Sequence, residues 1–162
     1  MTALPSRVLL EDRLLQSMHH ADRYHKPLAC MVMDLDEFKP VNDAFGHRVG
    51  DELLKVVADR MRGCMRKEDT AARTGGDEFV IVLSGLASEQ DVVVAARKIL
   101  DEVARPFHIE GHELHISCSI GISMYPGDGT DWITLLNHAD KAMYHSKKVG
   151  RNNYSFFTAG MQ

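Results

Sequence analysis

Two glycines and two carboxylates stand together at residues 73–83, RTGGDEFVIVL. A tight bend can be made from Asn-Gly or Asp-Gly without a second acid, so Asp77 and Glu78 raise the question of what stands opposite them. Upstream, residues 28–35 read LACMVMDL, apolar for six residues and then acidic, as a buried central strand does where it emerges from its sheet. Asp34 sits at that emerging end, and Asp36 lies two residues on, where the pleat returns a side chain to the same side. If the two strands are neighbours, Asp34 and Asp77 converge, and carboxylates that close repel unless a cation neutralises them. Hard oxygen donors with room for water and phosphate suit Mg²⁺. Such an ion between strand-end aspartates polarises phosphates and activates an attacking hydroxyl. On spacing alone, a pair of solvated turn acids is equally open.

The hydrophobic pattern supplies the elements that must position these groups. Leu10, Leu14, Met18 and Ala21 recur at helical spacing after Pro5 and Ser6, which suit a helix start. Leu53, Leu54, Val57, Met61 and Met65 make a second helical stripe. AART and FVIVL flank the Gly-Gly bend as a hairpin, in which Gly-Gly supplies the positive φ of a two-residue turn. Ser88 opens a third helix with Asp91 as its capping-box partner, and Ala96, Ile99, Leu100 and Val103 form its stripe. Over residues 114–124, Leu114, Ile116, Cys118, Ile120 and Ile122 alternate with His115, Ser117, Ser119 and Ser123, the pattern of a half-exposed strand. Trp132, Leu135, Leu136, Ala139 and Met143 mark a fourth helix stopped by Gly150, and NYSFF follows as a closing strand. With a short strand near Phe107 the order is α-β-α-β-β-α-β-α-β. This is an α+β fold whose β-α-β-β-α-β core sets helices on a mostly antiparallel central sheet.

At 162 residues the chain fits one domain with a sizeable core. A net charge of -4 argues against a nucleic-acid-coating surface, which would be basic, although KKVGR at 147–151 is locally basic. Three widely spaced cysteines, Cys30, Cys64 and Cys118, read as buried free thiols of a reducing compartment. No apolar run has the length of a membrane span, and the N-terminus lacks a signal-peptide pattern. HELH at 112–115 is one residue short of the zinc motif H-E-x-x-H, and on a strand its two histidines point to opposite faces.

GGDEF at 75–79, DLDEFKPVNDAFGHRVGDELL at 34–54, SIGIS at 119–123 and ADKAMYHSKKVGRN at 139–152 together resemble the GGDEF domain of bacterial diguanylate cyclases. TALPSR at 2–7 is similar to that family's opening segment, so the resemblance covers nearly the whole chain. It implies a fold like the polymerase palm and the nucleotidyl cyclases, and the condensation of two GTP into cyclic di-GMP with release of two pyrophosphates. It further implies that Asp34, Asp77 and the Leu35 backbone carbonyl hold Mg²⁺, with Mn²⁺ as the alternative. Asp77 would take the proton from the GTP 3′-hydroxyl, and Glu78 would support the metal site. Gly75 and Gly76 would let the nucleotide lie close to the backbone.

Asn42 and Asp51 stand at the family's guanine-binding positions. Guanine offers N1–H and a 2-amino group to an acceptor, whereas adenine has no N1–H, so Asp51 would face an acceptor there. By charge alone Asp51 is also a favourable group near a helix start. Lys147 and Arg151 match the family's triphosphate contacts, with Lys39 and the backbone amides of Glu37 and Phe38 as further ones. In isolation the same two cations would simply complement a helix end.

Arg66 and Asp69 form R-x-x-D at the offset from Gly75 where the family carries its inhibitory site for a cyclic di-GMP dimer, and Arg97 falls at a further contact position. Departures from the family pattern are Pro40 and Ser6, neither of them at a site position. Residues 1–157 are expected to form a single GGDEF domain and 158–162 a tail. YSFFTAGM is similar to the junction that leads into an EAL phosphodiesterase domain, so the expected parent is a longer protein with an attached EAL or sensor domain. Each domain would hold one GTP, so catalysis needs a second copy. The alternative is a non-catalytic module that binds GTP or cyclic di-GMP and regulates an attached phosphodiesterase domain. A purely structural dimerisation domain leaves the acids and the guanine pair unexplained. The expected setting is the cytoplasm, without nucleic-acid or direct membrane contact, in a parent that can itself be membrane-anchored.

Overall fold

The computed structural model describes residues 7–161, with Arg7 described by its backbone alone. The expected helix start at Pro5 and Ser6 and most of the TALPSR segment lie outside the described residues. The chain runs α1 (Arg7–Tyr24), β1 (Leu28–Asp36), α2 (Phe38–Phe45), α3 (His47–Gly63), β2 (Thr70–Gly75) and β3 (Glu78–Leu83). It continues through α4 (Glu89–Val103), β4 (Phe107–Ile109), β5 (His112–Leu114), β6 (Ser117–Tyr125), α5 (Trp132–Lys148) and β7 (Asn153–Phe156). The central sheet has the order β2-β3-β1-β6-β7. All its pairs are antiparallel except β6–β7. Strands β1 and β2, joined through helices, run the same way with β3 between them, and β3 and β6 likewise flank β1. This is the split β-α-β layout that the element order predicts.

Strand β1 is buried on both faces, and its pleat sorts its residues between two cores. Ala29, Met31, Met33 and Leu35 face Leu53, Val57 and Met61 of α3 and Val92, Ala96 and Ile99 of α4. Leu28, Cys30 and Val32 face Leu10, Leu14 and Met18 of α1 and Leu135, Ala139 and Met143 of α5. Each fully buried Leu or Met contributes about 2 kcal/mol relative to exposure. The period of two carries the α1/α5 face on to Asp34 and Asp36 at the strand's end.

Several local expectations change. The predicted half-exposed strand at 114–124 is two strands, β5 and β6, and β6 is covered on both faces. Its Gly121 and Ser123 positions are small because α5 packs directly on them, not because water does. A Cβ at Gly121 would overlap Ala139 O and Met143 N, and buried Ser123 Oγ donates to Leu135 O at 2.7 Å. The strand near Phe107 does not join the central sheet. It forms the separate β4–β5 hairpin, turned at Glu110 and Gly111 with φ of 48° and 82°, the second a value that Gly tolerates freely. Ser88 makes no side-chain cap at the start of α4, and Asp91 Oδ2 instead accepts from Ala87 N at 3.0 Å. Pro40 fits within the first turn of α2, where a missing N–H has no helical partner to lose. Cys30 and Cys118 are buried free thiols, while Cys64 is only half-buried.

Candidate active site

Asp34 pairs with Glu78 across the β1–β3 ladder, and Leu35 N donates to Asp77 O at 3.2 Å. The two-residue loop between β2 and β3 is Gly76–Asp77 rather than Gly-Gly, with the positive φ that the turn requires at Gly76, 43°. Arg73 Nε donates to Gly76 O at 2.8 Å and holds the turn. Thr74 Oγ1 donates to Glu78 Oε1 at 3.0 Å. The loop therefore brings Asp77 and Glu78 against the end of β1.

The cluster is electrostatically crowded. Burial, and then the neighbouring Asp77 carboxylate, push the Asp34 carboxyl up from 3.8 to about 7, with Lys147 opposing and the Asp77 hydrogen bond and Glu78 adding to the rise. Asp34 Oδ1 is buried and has no hydrogen-bond partner among the described residues. A buried, unpartnered carboxylate oxygen facing further carboxylates is unfavourable for a bare fold and fits a divalent cation with oxygen preference. Among the described residues no three His, Cys, Asp or Glu side chains form a ready-made metal cage. A cation here would rest on Asp34, Asp77 and backbone oxygen, and take its other ligands from water or phosphate. His112 packs its ring 4.6 Å from Phe45, and His115 pairs with Glu113 at 3.0 Å, so the HELH histidines are engaged separately.

Lys147, from the last turn of α5, reaches this cluster. Its Nζ lies 3.7 Å from Asp34 Oδ2 and 3.5 Å from Asp36 Oδ1. Arg151, three residues past the helix end, is exposed and has a φ of 63°. Asp36 is 1% exposed and is enclosed by donors.

The two expected guanine contacts come from different helices. Asn42 of α2 rests on Gly50 of α3, where a Cβ would overlap Asn42 Oδ1, so its amide stands immediately before the exposed Asp51. His47 Nδ1 is 2.9 Å from Asn42 Nδ2. The Phe38 ring lies over Gly50 as well, Glu37 precedes α2 in a left-handed conformation, and Lys39 projects from its exposed first turn. Asn42 and Asp51 thus share one shallow surface, at the helix pair that follows the acidic end of β1.

The R-x-x-D residues lie at the other end of the sheet. Asp69 accepts from Arg66 N at 2.9 Å and from Ser84 N at 3.3 Å, and its side chain is 3% exposed. Arg66 donates to Ser84 O at 2.6 Å and approaches Glu68 at 3.4 Å. A cleft of about 260 Å³ beside them is lined by Arg66, Asp69, Asp91, Val94 and Lys98. Arg97 does not join it: its guanidinium lies 5.9 Å from the Tyr154 ring, and Lys98 occupies the cleft wall instead.

Residue order gives no role to Asp36, Ser117, Ser119 or Thr74, and His47 only a place in the family's GH segment beside the nucleotide pocket, without chemistry. Each acts by holding another polar group, which leaves no local pattern. The available signal was the run of serines on the polar face of the strand that reads as half-exposed.

Comparison with known proteins identifies the family and the fold. The profile of the family described as "Diguanylate cyclase, GGDEF domain" matches residues 1–153. "Bifunctional diguanylate cyclase/cyclic di-GMP phosphodiesterase MucR" of Pseudomonas aeruginosa is 48% identical over 161 residues, 99% of this chain and 23% of that protein. "Cyclic di-GMP phosphodiesterase NbdA" of the same organism is 37% identical over 158 residues, 98% of this chain and 20% of that protein. The crystal structure of the GGDEF domain of YfiN or TpbB from Pseudomonas aeruginosa superposes with a TM-score of 0.96 at 36% identity, covering 99% of this chain and 100% of that one. The GGDEF domain of DgcB from Caulobacter crescentus, solved in complex with c-di-GMP, superposes with a TM-score of 0.87 at 28% identity, covering 96% and 92%. The chain belongs to the GGDEF family and has its palm-like fold. It spans roughly a fifth to a third of the length of the curated relatives it matches.

Proposed function

We propose that this domain is a diguanylate cyclase, which joins two GTP into cyclic di-GMP and releases two pyrophosphates. The observation that carries the reading is the unpartnered, buried Asp34 oxygen beside Asp77 and Glu78, in a member of this family. In each step a 3′-hydroxyl oxygen of one GTP attacks the α-phosphorus of the other. The P–O bond to pyrophosphate breaks, and the hydroxyl proton passes to a base. One domain binds one GTP, so two copies must face each other, and the second step closes the ring.

Mg²⁺, or Mn²⁺ in its place, would supply charge neutralisation at the phosphates and a lower pKa for the attacking hydroxyl. Asp34, Asp77 and the Leu35 carbonyl would hold it. Asp77 is suited to accept the proton, and Glu78, held by Thr74, adds negative charge that favours the cation. Asp51 accepts from guanine N1–H and the 2-amino group, and Asn42, fixed by His47 and Gly50, bonds a ring acceptor. Lys147 and Arg151 contact the triphosphate, assisted by Lys39 and the amides of Glu37 and Phe38 at the start of α2. Gly75 and Gly76 leave room for the nucleotide at the loop.

Arg66 and Asp69 form the inhibitory product site, with Lys98 nearer to them than the expected Arg97. Because Asp69 is almost wholly buried and already accepts two backbone bonds, the exposed Arg66 side chain is the group that a phosphate or guanine edge can reach. Residues up to 157 form the domain and the remainder a tail, within a longer cytoplasmic or membrane-anchored protein that carries an EAL or sensor domain. No helix among the described residues is long and apolar enough to cross a membrane.

The naming of NbdA as a phosphodiesterase favours one second reading, a GTP-binding or cyclic di-GMP-binding module that regulates an attached domain. Chromatography of products from GTP and Mg²⁺, over a range of protein concentrations, separates the two. Cyclic di-GMP that rises more steeply than linearly with protein, and vanishes in Asp77→Ala, supports the cyclase. GTP left unchanged at high protein, even with a fused dimeriser, supports the regulatory module.

A further inference from the structure

Asp36 is a charged group buried to 1% exposure that the chemistry above does not use. Burying a carboxylate is costly unless donors surround it, and here they come from three separate segments. From β6, Ser117 Oγ donates to Oδ2 at 2.6 Å and Ser119 Oγ to Oδ1 at 2.8 Å. From α5, Lys147 Nζ stands 3.5 Å from Oδ1. From the α5–β7 connection, Asn152 N donates to Oδ2 at 3.0 Å.

That connection is strained. Gly150, Arg151 and Asn152 have φ of 133°, 63° and 47° in succession. Left-handed backbone at a non-Gly residue costs about 1 kcal/mol or more each, and persists only where surrounding contacts hold it. Two contacts hold it here: Arg151 N donates to Ser146 O at 3.0 Å, and Asn152 N donates to Asp36. The same carboxylate therefore fixes the backbone next to Arg151 and the ammonium of Lys147.

We infer that Asp36 is a positioning residue for the triphosphate: it tethers Lys147 and the Arg151–Asn152 backbone so that both cations are presented together. The inference rests on the reading of Lys147 and Arg151 as triphosphate contacts. Asp36 itself touches no part of the nucleotide. Its pairing with Lys147 also keeps that ammonium in place when Asp34 is otherwise engaged, since the lysine retains one carboxylate partner.

The test is binding, not turnover. Affinities for 3′-deoxyguanosine triphosphate, which lacks the attacking hydroxyl, and for GMP are measured with Mg²⁺ for the wild-type domain, Asp36→Asn and Ser117→Ala, with thermal unfolding as a check on folding. In Asp36→Asn the triphosphate is expected to bind about 10- to 100-fold more weakly, while GMP stays within about threefold, because only charge-assisted phosphate contacts are lost. Ser117→Ala, which removes one of the four donors, should show the same selectivity with a loss of about threefold to tenfold. If Asp36→Asn does not fold, Ser117→Ala decides alone by the same criterion. Equal weakening of both nucleotides, or unchanged triphosphate affinity in a folded variant, overturns the inference. A wild-type domain that binds triphosphate no better than monophosphate overturns the underlying GTP reading, and the inference with it.

Discussion

Lys147 Nζ stands 3.7 Å from Asp34 Oδ2, so the strand-end aspartate that faces Asp77 and Glu78 has an ammonium from α5 as its counter-charge. The ion pair is half-shielded, with both side chains 22% exposed. It does not cancel the crowding, because Asp34 remains raised to about 7 despite Lys147.

With divalent cations chelated, this crowding predicts a pH-dependent stability. The folded domain holds a proton on Asp34 that the unfolded chain, at 3.8, gives up earlier. The stabilising contribution is therefore full below pH 3.8 and is lost as pH rises through about 7. Asp34→Asn should raise the thermal stability of the cation-free domain more at pH 8 than at pH 5, by on the order of 2 kcal/mol. Adding Mg²⁺ at pH 8 should raise the Tm of the wild type and leave that of the variant unchanged. A gain equal at both pH values would count against the crowding.

Asp51→Asn tests base recognition. An amide presents a donor as well as an acceptor, so the repulsion between Asp51 and the N1 acceptor of adenine disappears while one guanine contact weakens. The preference for GTP over ATP in competition binding should fall by about 10- to 100-fold. Preference retained in a folded variant would place guanine selection elsewhere.

Arg66→Ala and Asp69→Ala should separate cleanly. Asp69 is nearly buried and accepts from two backbone amides, so its removal should destabilise the fold by about 2 kcal/mol. Arg66 is exposed and its loss should cost less than about 1 kcal/mol in thermal or urea unfolding. Arg66→Ala should nevertheless abolish inhibition of GTP turnover by added cyclic di-GMP, and persistent inhibition would remove Arg66 from the product site.

Gly121→Ala should be among the most damaging single substitutions in the sheet. The new Cβ would meet backbone atoms of Ala139 and Met143, which cannot rotate away. Lifting α5 off β6 should cost about 3 kcal/mol or more and loosen Lys147, one turn beyond Met143 on the same helix. Urea unfolding measures the first effect, and triphosphate binding at a temperature where the variant is folded measures the second.

Much of this arrangement was legible in residue order. The run from Leu28 to Asp36 announced a central strand ending in acids, and the four motifs named the family that its relatives share. The helical stripes of α1, α3, α4 and α5 turned out to be buried faces. What residue order misjudged was polarity inside the core. Ser117, Ser119 and Ser123 resemble a wet face of β6, yet Ser119 and Ser123 are fully buried and Ser117 is half-buried. Their hydroxyls serve Asp36 and Leu135 O. A serine against water and a serine satisfying a buried acceptor have the same local pattern.

By itself the sequence determined the long helices and the central strands, and which acids, amide and cations the domain has to work with. Those follow from side-chain period, turn chemistry and motif spacing, all of them local along the chain. Tertiary packing decided which of these groups hold one another. Asp36 meets Asn152 across 116 positions, Asp34 is left with an unpartnered oxygen beside Asp77, and Arg97 turns to Tyr154 while Lys98 takes the cleft. The physical reason is that desolvation and donor satisfaction depend on what is brought alongside a group in space, which no spacing along the chain encodes.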